Sequence, residues 1–183
     1  HIMEHQYLER FAGVEPGEYR KDPHRVYLAF QNAVGTCMID QYIPENPLSM
    51  GSRGYEGKAH GATTGAEEII RDGILIDSPE AVVEHLERIA FPRIQASIAA
   101  FDEDKRVKEI LDGEAAVQQV FGTDILKTGY GFIRFPGFLY STYGYANYFM
   151  AFALYPEVLE RYFALQADWC LLNNRAAARA YRE

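Results

Sequence analysis

The stretch that decides the fold runs from Phe135 to Phe163 and reads FPGFLYSTYGYANYFMAFALYPEVLERYF. A loop rich in glycine and tyrosine (136–144) leads into a short apolar helix. This helix is predicted to end at Tyr155, because the residue before a proline disfavours the helical region. Pro156 then suits the first turn of a second, long helix. A hydrophobic strand precedes the loop, so the order of elements predicts one unit of a β/α enzyme with a loop that faces a ligand.

The composition is that of a globular protein of about one domain, with 183 residues and a net charge of −8. This acidic balance disfavours nucleic acid as a partner, because phosphate binding needs clustered Lys and Arg. The sequence contains no apolar run of about 18 residues, so no membrane span is predicted. Two cysteines in apolar settings, Cys37 and Cys170, predict reduced, buried thiols and a cytoplasmic location. Residues 1–3 are interpreted as a cloning remnant, and 4–183 as the natural sequence.

The first half of the chain combines a buried strand with a long irregular segment. Residues 37–43 are short, apolar and bounded by glycine and proline, which predicts a strand. Asp40 near its end has two interpretations: it bonds a neighbouring loop, or it points into a site. Residues 44–65 form a glycine-rich segment that carries Arg53 and His60. It is either a binding loop for an anionic ligand or a surface crossover with solvated charges.

Further elements follow from local signals. Asp22 and Ser78, each followed by proline, predict helix starts. His85 lies among glutamates on a charged helix, which favours a surface histidine. Short strands are predicted at 73–76 and 124–130.

The carboxyl-terminal part resembles the uroporphyrinogen decarboxylase superfamily. The residues that carry the resemblance are Gly-Tyr-Ala-Asn-Tyr-Phe-Met (144–150) and Tyr-Pro-Glu-Val-Leu-Glu-Arg (155–161), with Thr36 to Gly51 as a further matching segment. The similarity is diffuse and extends over most of 22–182. It implies an α/β fold, a (β/α)8 TIM barrel whose site lies at the carboxyl ends of the strands.

Two activities occur in this superfamily, and both stay open for this chain. The first expectation is corrinoid-dependent methyl transfer, with a corrinoid protein as partner and with zinc and corrinoid as possible cofactors of the full-length protein. The alternative is decarboxylation of a carboxylated porphyrinogen, a tetrapyrrole, without a cofactor. The decarboxylases' Arg-Gln-Ala-Gly-Arg-Tyr motif is matched only in part by Arg10 to Glu15, and the methyltransferases' His-x-Cys zinc motif does not occur in the sequence.

A closed barrel takes about 250 residues, so residues 4–183 are expected to form the amino-terminal portion of such a domain. An incomplete barrel leaves an unpaired strand edge and apolar surface. The expected consequence is a homo-oligomer, and a third possibility is an inactive fragment or assembly module.

The resemblance and the loop assignments together nominate five site residues. Tyr143, a neutral hydrogen-bonding phenol, and Asp40, an acceptor for pyrrole N–H groups, are the expected catalytic residues. Arg53 and Arg134 are expected to bind substrate carboxylates through bidentate hydrogen bonds. His60 is expected to bind substrate or to act in acid–base chemistry.

Overall fold

The computed structural model describes residues 5–40, 42, 68–129 and 133–182. Helices account for 68% of these residues, and the strands form two sheets of two strands each. The described part of the chain is therefore α-rich with short strands, and it contains no closed barrel. It divides into two compact units, the first comprising His1–Glu56 with Glu109–Tyr130 and the second Gly57–Lys108 with Gly131–Glu183.

Unit 1 begins with three helices, α1 (His5–Ala12), α2 (Glu18–Lys21) and α3 (Pro23–Ala33). The predicted start of α3 is confirmed: the Asp22 side chain accepts a hydrogen bond from the backbone N–H of Arg25 at 3.0 Å. The apolar faces of the three helices meet in a small core. Its buried members are Leu8, Tyr19, Val26 and Phe30.

The parallel sheet of unit 1 pairs β1 (Met38–Ile39) with β4 (Leu126–Lys127). The backbone N–H groups of Leu126 and Thr128 donate to the carbonyls of Cys37 and Ile39, both at 2.9 Å. Parallel strands require a long crossover connection, which agrees with the predicted β/α order. Both strands are shorter than predicted.

The prediction that β1 is buried throughout is wrong. The side chain of Ile39 is buried, whereas Met38 is 58% exposed. Cys37 is also exposed, so the prediction of two buried thiols is wrong for this residue. A strand with one neighbour and one packed face buries alternate side chains, and only Ile39 meets the core of Phe121 and Ile125.

Unit 2 begins with an antiparallel hairpin of β2 (Ile70–Arg71) and β3 (Ile74–Leu75). The two connecting residues, Asp72 and Gly73, have φ values of 49° and 84°. Positive φ at both positions is the requirement of a type I′ turn, for which Asp-Gly is a preferred pair. The sequence analysis predicted the second strand of this hairpin and missed the first.

A continuous helical stretch follows the hairpin. Helix α4 (Pro79–His85) passes through a π-helical turn (Leu86–Ala90) into α5 (Phe91–Ala99). The predicted start is confirmed, since the Ser78 hydroxyl oxygen accepts from the backbone N–H of Ala81 at 3.2 Å. The π-helical turn ends two residues before Pro92, which has no backbone N–H to donate to the helix.

The remaining helices are α6 (Glu103–Phe121), α7 (Tyr140–Tyr143), α8 (Tyr145–Leu154) and α9 (Pro156–Ala180). The break at Tyr155 and the long helix from Pro156 are confirmed. Within the described residues, no helix combines the length and the apolar character that a membrane crossing needs.

The main core of unit 2 lies where α4 and α5 pack against α8 and α9. Its fully buried side chains include Val82, Leu86, Tyr148, Ala151 and Leu159. Tyr143 belongs to the same core, so the loop tyrosine predicted to face a ligand is packed inside unit 2.

Candidate functional site

Tyr143 is the predicted site residue around which unit 2 brings together the most polar chemistry. It is the last residue of α7 and is 1% exposed. Its hydroxyl lies 2.9 Å from Nδ1 of His85, a residue 58 positions earlier in the chain. The hydroxyl therefore has a partner inside the protein.

His85 is buried, 5% exposed, so the prediction of a surface histidine is wrong. Its helix is amphipathic at this point: Val82 and Leu86 share its buried side, while the neighbouring Glu84 and Glu87 are exposed. The prediction followed from the two glutamates next to His85. However, His85 lies three residues after Val82, and residues at this spacing share one face of a helix. A buried imidazole needs polar partners, and His85 has one at each ring nitrogen.

Asp72 is the hydrogen-bond partner of the other nitrogen of the His85 ring. Its Oδ2 lies 2.9 Å from Nε2 of His85, and its Oδ1 accepts from a guanidinium nitrogen of Arg93 at 3.0 Å. The hydrogen bonds from Arg93 and from His85 lower the pKa of Asp72 below 3.8. The carboxylate is thus ionised at neutral pH and accepts both hydrogen bonds.

This ionisation sets the direction of the whole chain of hydrogen bonds. Because the Asp72 carboxylate only accepts, the Nε2–H of His85 donates to it. When the imidazole is neutral, its other nitrogen, Nδ1, is the acceptor for the Tyr143 hydroxyl. The result is a relay from Tyr143 through His85 to Asp72, in which each donor has one acceptor.

Burial keeps Tyr143 neutral. Desolvation raises the pKa of its hydroxyl strongly above 10, and the nearby Tyr162 and Tyr148 add to the effect. Desolvation also raises the pKa of Tyr162 to about 12. Tyr143 therefore acts as a neutral hydrogen-bond donor and not as a phenolate.

The backbone around Tyr143 is fixed from both sides. Nε of Arg71 donates to the carbonyl of Thr142 at 2.8 Å, which ties α7 to the hairpin. Gly144 follows with φ 82° and ψ 152°, a conformation that is essentially restricted to glycine. A Cβ at this position would lie 2.8 Å from Cδ1 of Ile69.

An open depression of about 590 Å³ lies beside the exposed end of the relay. Its charged lining is mainly acidic; the ionisable residues around it are Asp72, Asp77, Glu80, Glu84 and Arg88. The Asp72 side chain is 40% exposed, so the relay connects a buried phenol to solvent at this depression.

Asp40 lies in unit 1, directly after β1, and is exposed. Thr128 follows the paired strand β4, so the two residues lie at the carboxyl ends of parallel strands. This is the edge at which β/α proteins carry their functional groups. Asp40 and the relay belong to different units.

Of the three remaining predicted site residues, only Arg134 lies within the described part of the chain. Arg134 is exposed in unit 2, where its backbone N–H and carbonyl both bond the Asn174 side chain at 2.7 Å. Arg53 and His60 lie outside the described residues, as does the predicted binding loop that carries them.

The described residues contain no candidate metal site. Among the described residues no three His, Cys, Asp or Glu side chains are grouped as metal ligands would be. Cys37 and Cys170 are free thiols and belong to different units. The described residues therefore do not fit a zinc centre.

Comparison with known proteins adds no relative. Neither the scan against protein-family models nor the searches of curated proteins and of solved structures found a match.

The sequence analysis nominated Tyr143 but missed both of its relay partners, His85 and Asp72. For Asp72 a signal was available, since Asp-Gly between Ile-Ile-Arg (69–71) and Ile-Leu-Ile (74–76) is typical of a hairpin turn. That turn projects the carboxylate next to the helix that carries His85. For His85 the signal was the helical spacing from Val82.

Proposed function

We propose that this chain forms part of an enzyme of the uroporphyrinogen decarboxylase superfamily, related to those that carry out corrinoid-dependent methyl transfer. The observation that supports the proposal is the parallel pairing of β1 with β4, with Asp40 directly after β1. Parallel pairing is the strand arrangement on which β/α enzymes are built. An exposed carboxylate at their carboxyl ends stands at the edge where such enzymes bind their ligands.

In this proposal Asp40 is the group that meets the ligand. A carboxylate accepts hydrogen bonds and favours a positively charged or N–H-rich partner. The amide side chains and N–H groups at the rim of a corrinoid ring, or the N–H groups of a porphyrinogen, meet that requirement. The expected roles of Arg53, Arg134 and His60 in binding substrate carboxylates stay predictions.

Tyr143 has a positioning role here. Its hydroxyl is hydrogen-bonded to Nδ1 of His85, and its backbone leads directly into Gly144 and α8. Burial keeps the phenol neutral, and its hydrogen bond to His85 orders the loop that the resemblance assigns to the ligand-binding face. The expectation that Tyr143 contacts the substrate itself stays a prediction.

The corrinoid, when bound, would supply the carrier for the methyl group. Zinc has no ligand set among the described residues. The part of the chemistry that this chain's own described residues can perform is recognition of the ligand by Asp40 and ordering of the Tyr143 loop.

The test is a spectroscopic titration of the full chain with a corrinoid and, separately, with a tetracarboxylate porphyrin. We expect saturable binding of the corrinoid, weakened about tenfold or more by Asp40→Asn, a change of about 1.4 kcal/mol. The matched control is Asp124→Asn, because Asp124 is also exposed but precedes β4 instead of following a strand. Asp124→Asn should leave the affinity unchanged.

The other outcomes decide against the proposal. Binding of the tetracarboxylate porphyrin alone would favour the decarboxylase alternative. Failure to bind either ligand would leave an inactive fragment or assembly module. Equal effects of both aspartate substitutions would show that Asp40 has no special place in binding.

A further inference from the structure

Helix α8 is apolar on the side that faces away from the core as well as on the side that faces it. Tyr148 and Ala151 are buried, while Ala146 and Ala153 on the opposite side are exposed. The whole window 135–156 contains no Asp, Glu, Lys or Arg. A helix that is hydrophobic all round is typical of one that is covered on all sides.

Aromatic rings extend this exposed face into a continuous surface, here called the outer aromatic cluster. Tyr145 and Phe149 lie 5.0 Å apart between ring centroids, and Phe138 lies 6.0 Å from both Phe149 and Phe152. Tyr140 lies 5.0 Å from Tyr145. These five rings therefore form one connected patch that begins before α8 and runs along it.

The exposed fractions of these rings show how much surface is uncovered. They are 52% for Phe138, 42% for Tyr140, 69% for Tyr145, 37% for Phe149 and 40% for Phe152. Because an aromatic side chain has about 150–250 Å² of surface, the five rings expose roughly 500 Å² together. Met150 and Leu154, 49% and 58% exposed on the same helix, bring the apolar surface to roughly 700 Å² by the same measure.

This area exceeds the apolar patch of a typical monomer and approaches the roughly 800 Å² that each partner buries in a stable protein interface. The mixture of Tyr, Phe and Met without charge is also that of an interface centre. Small residues on the outer side of α8, Ala146 and Ala153, allow a second helix to approach closely.

We propose that the outer face of α8 with the outer aromatic cluster is a homodimer interface, in which α8 packs against α8 of a second copy of this chain. The absence of charge argues against partners that bind through charge. A basic or acidic partner would find no group to pair with, and an anionic membrane surface would repel a chain of net charge −8 that carries no Lys or Arg in this window. An uncharged apolar face is complementary to itself, and two-fold pairing is the commonest form of self-association.

The experiment is sedimentation velocity of the full chain over a concentration series, on the wild type and on three variants. Ala153→Glu and Ala146→Glu place a charge in the middle of the proposed interface. Both residues are exposed in the protomer and glutamate is a good helix former, so the fold should be kept. The matched control is Ala178→Glu, an exposed alanine on α9 of the same unit. Circular dichroism verifies the helix content of each variant.

We expect a wild-type dimer, a dissociation constant raised about tenfold or more by Ala153→Glu and by Ala146→Glu, and no change for Ala178→Glu. A wild-type chain that stays monomeric at about 100 μM, where an interface of this size should be occupied, would overturn the proposal and favour cover by another segment of the polypeptide. A dimer that is unaffected by both α8 variants, or equally weakened by Ala178→Glu, would also overturn it.

Discussion

Glu9 in unit 1 and His85 in unit 2 are both buried titratable side chains, and they are used in opposite ways. In unit 1 the Oε1 of Glu9, a residue 3% exposed, accepts from the backbone N–H groups of Gly17 and Tyr19 at 2.9 and 2.8 Å. In unit 2 His85 bonds two side chains, Asp72 and Tyr143. Glu9 therefore holds a local piece of backbone, whereas His85 connects elements that are far apart in the sequence.

The comparison distinguishes a buried polar group that only stabilises the fold from one that also connects the interior to the surface. The partners of Glu9 lie eight and ten residues away and stabilise the turn into α2. The partners of His85 lead out to an exposed carboxylate, so the second arrangement links a buried hydroxyl to solvent. Four substitutions test this contrast.

The largest effect is expected in unit 1. Glu9→Ala leaves two backbone N–H groups without their acceptor, and each buried unsatisfied group costs about 1–3 kcal/mol, so a loss of about 2–4 kcal/mol in unfolding free energy is expected. Urea denaturation measures it. Glu9→Gln is the control, because it keeps an oxygen in place and should cost clearly less. Equal losses for both variants would mean that the negative charge, rather than the acceptor, stabilises unit 1.

The second effect concerns the backbone beside Tyr143. Gly144→Ala forces a side chain into a glycine-only conformation and towards Ile69, so a destabilisation of about 2 kcal/mol is expected. Gly113→Ala is the matched control, because this glycine lies inside α6 with open space around it. It should stabilise the protein by about 0.5–1 kcal/mol. Thermal or urea unfolding measures the stability of both variants. A change in the same direction for the two would contradict the glycine-only conformation assigned to Gly144.

A smaller effect is expected for the relay itself. Tyr143→Phe removes the donor to Nδ1 of His85 and leaves that buried nitrogen unpaired, at a cost of about 1–2 kcal/mol. The control is Tyr155→Phe, which removes a hydroxyl that bonds Glu80 at an exposed position. If the control lost as much stability as Tyr143→Phe, the burial of the relay would have no energetic consequence.

The smallest effect is a change in pH dependence at Asp72. The pKa of this carboxyl is lowered in the folded protein, so its contribution to stability is present above the unfolded value of 3.8 and is lost as the pH falls through the folded value. Asp72→Asn should therefore flatten the acid branch of a plot of unfolding free energy against pH, while asparagine still suits the type I′ turn. Asp124→Asn serves as the exposed control. Parallel acid branches for Asp72→Asn and the wild type would contradict the hydrogen bonds assigned to Asp72.

The elements that could be predicted are those with local signals. Asp22 with Pro23, Ser78 with Pro79 and Tyr155 with Pro156 mark helix ends through caps and proline geometry, which act within a few residues. Strand lengths could not be predicted in the same way, because strand pairing depends on a neighbour that the local sequence does not specify. The fold class was predicted only in its coarser part, a partial α/β domain with several helices.

The candidate site was predicted in one residue, Tyr143, and missed in two. The exposure of His85 depends on what packs over its helix, and the charged neighbours Glu84 and Glu87 favoured the wrong prediction. The role of Asp72 depends on a hairpin whose first strand was missed. Each error concerns a contact made across tens of residues.

The amino-acid sequence by itself determined where α3, α4 and α9 begin, that Pro156 separates α8 from α9, and that residues 135–156 carry no charge. Those properties depend on backbone sterics, capping and composition, which are local. Only the tertiary structure decided that Tyr143 is buried against His85, that His85 reaches Asp72, and that the aromatic rings around α8 face outward. Burial and hydrogen-bond pairing are set by which elements pack together, and that choice depends on the free energy of the whole core.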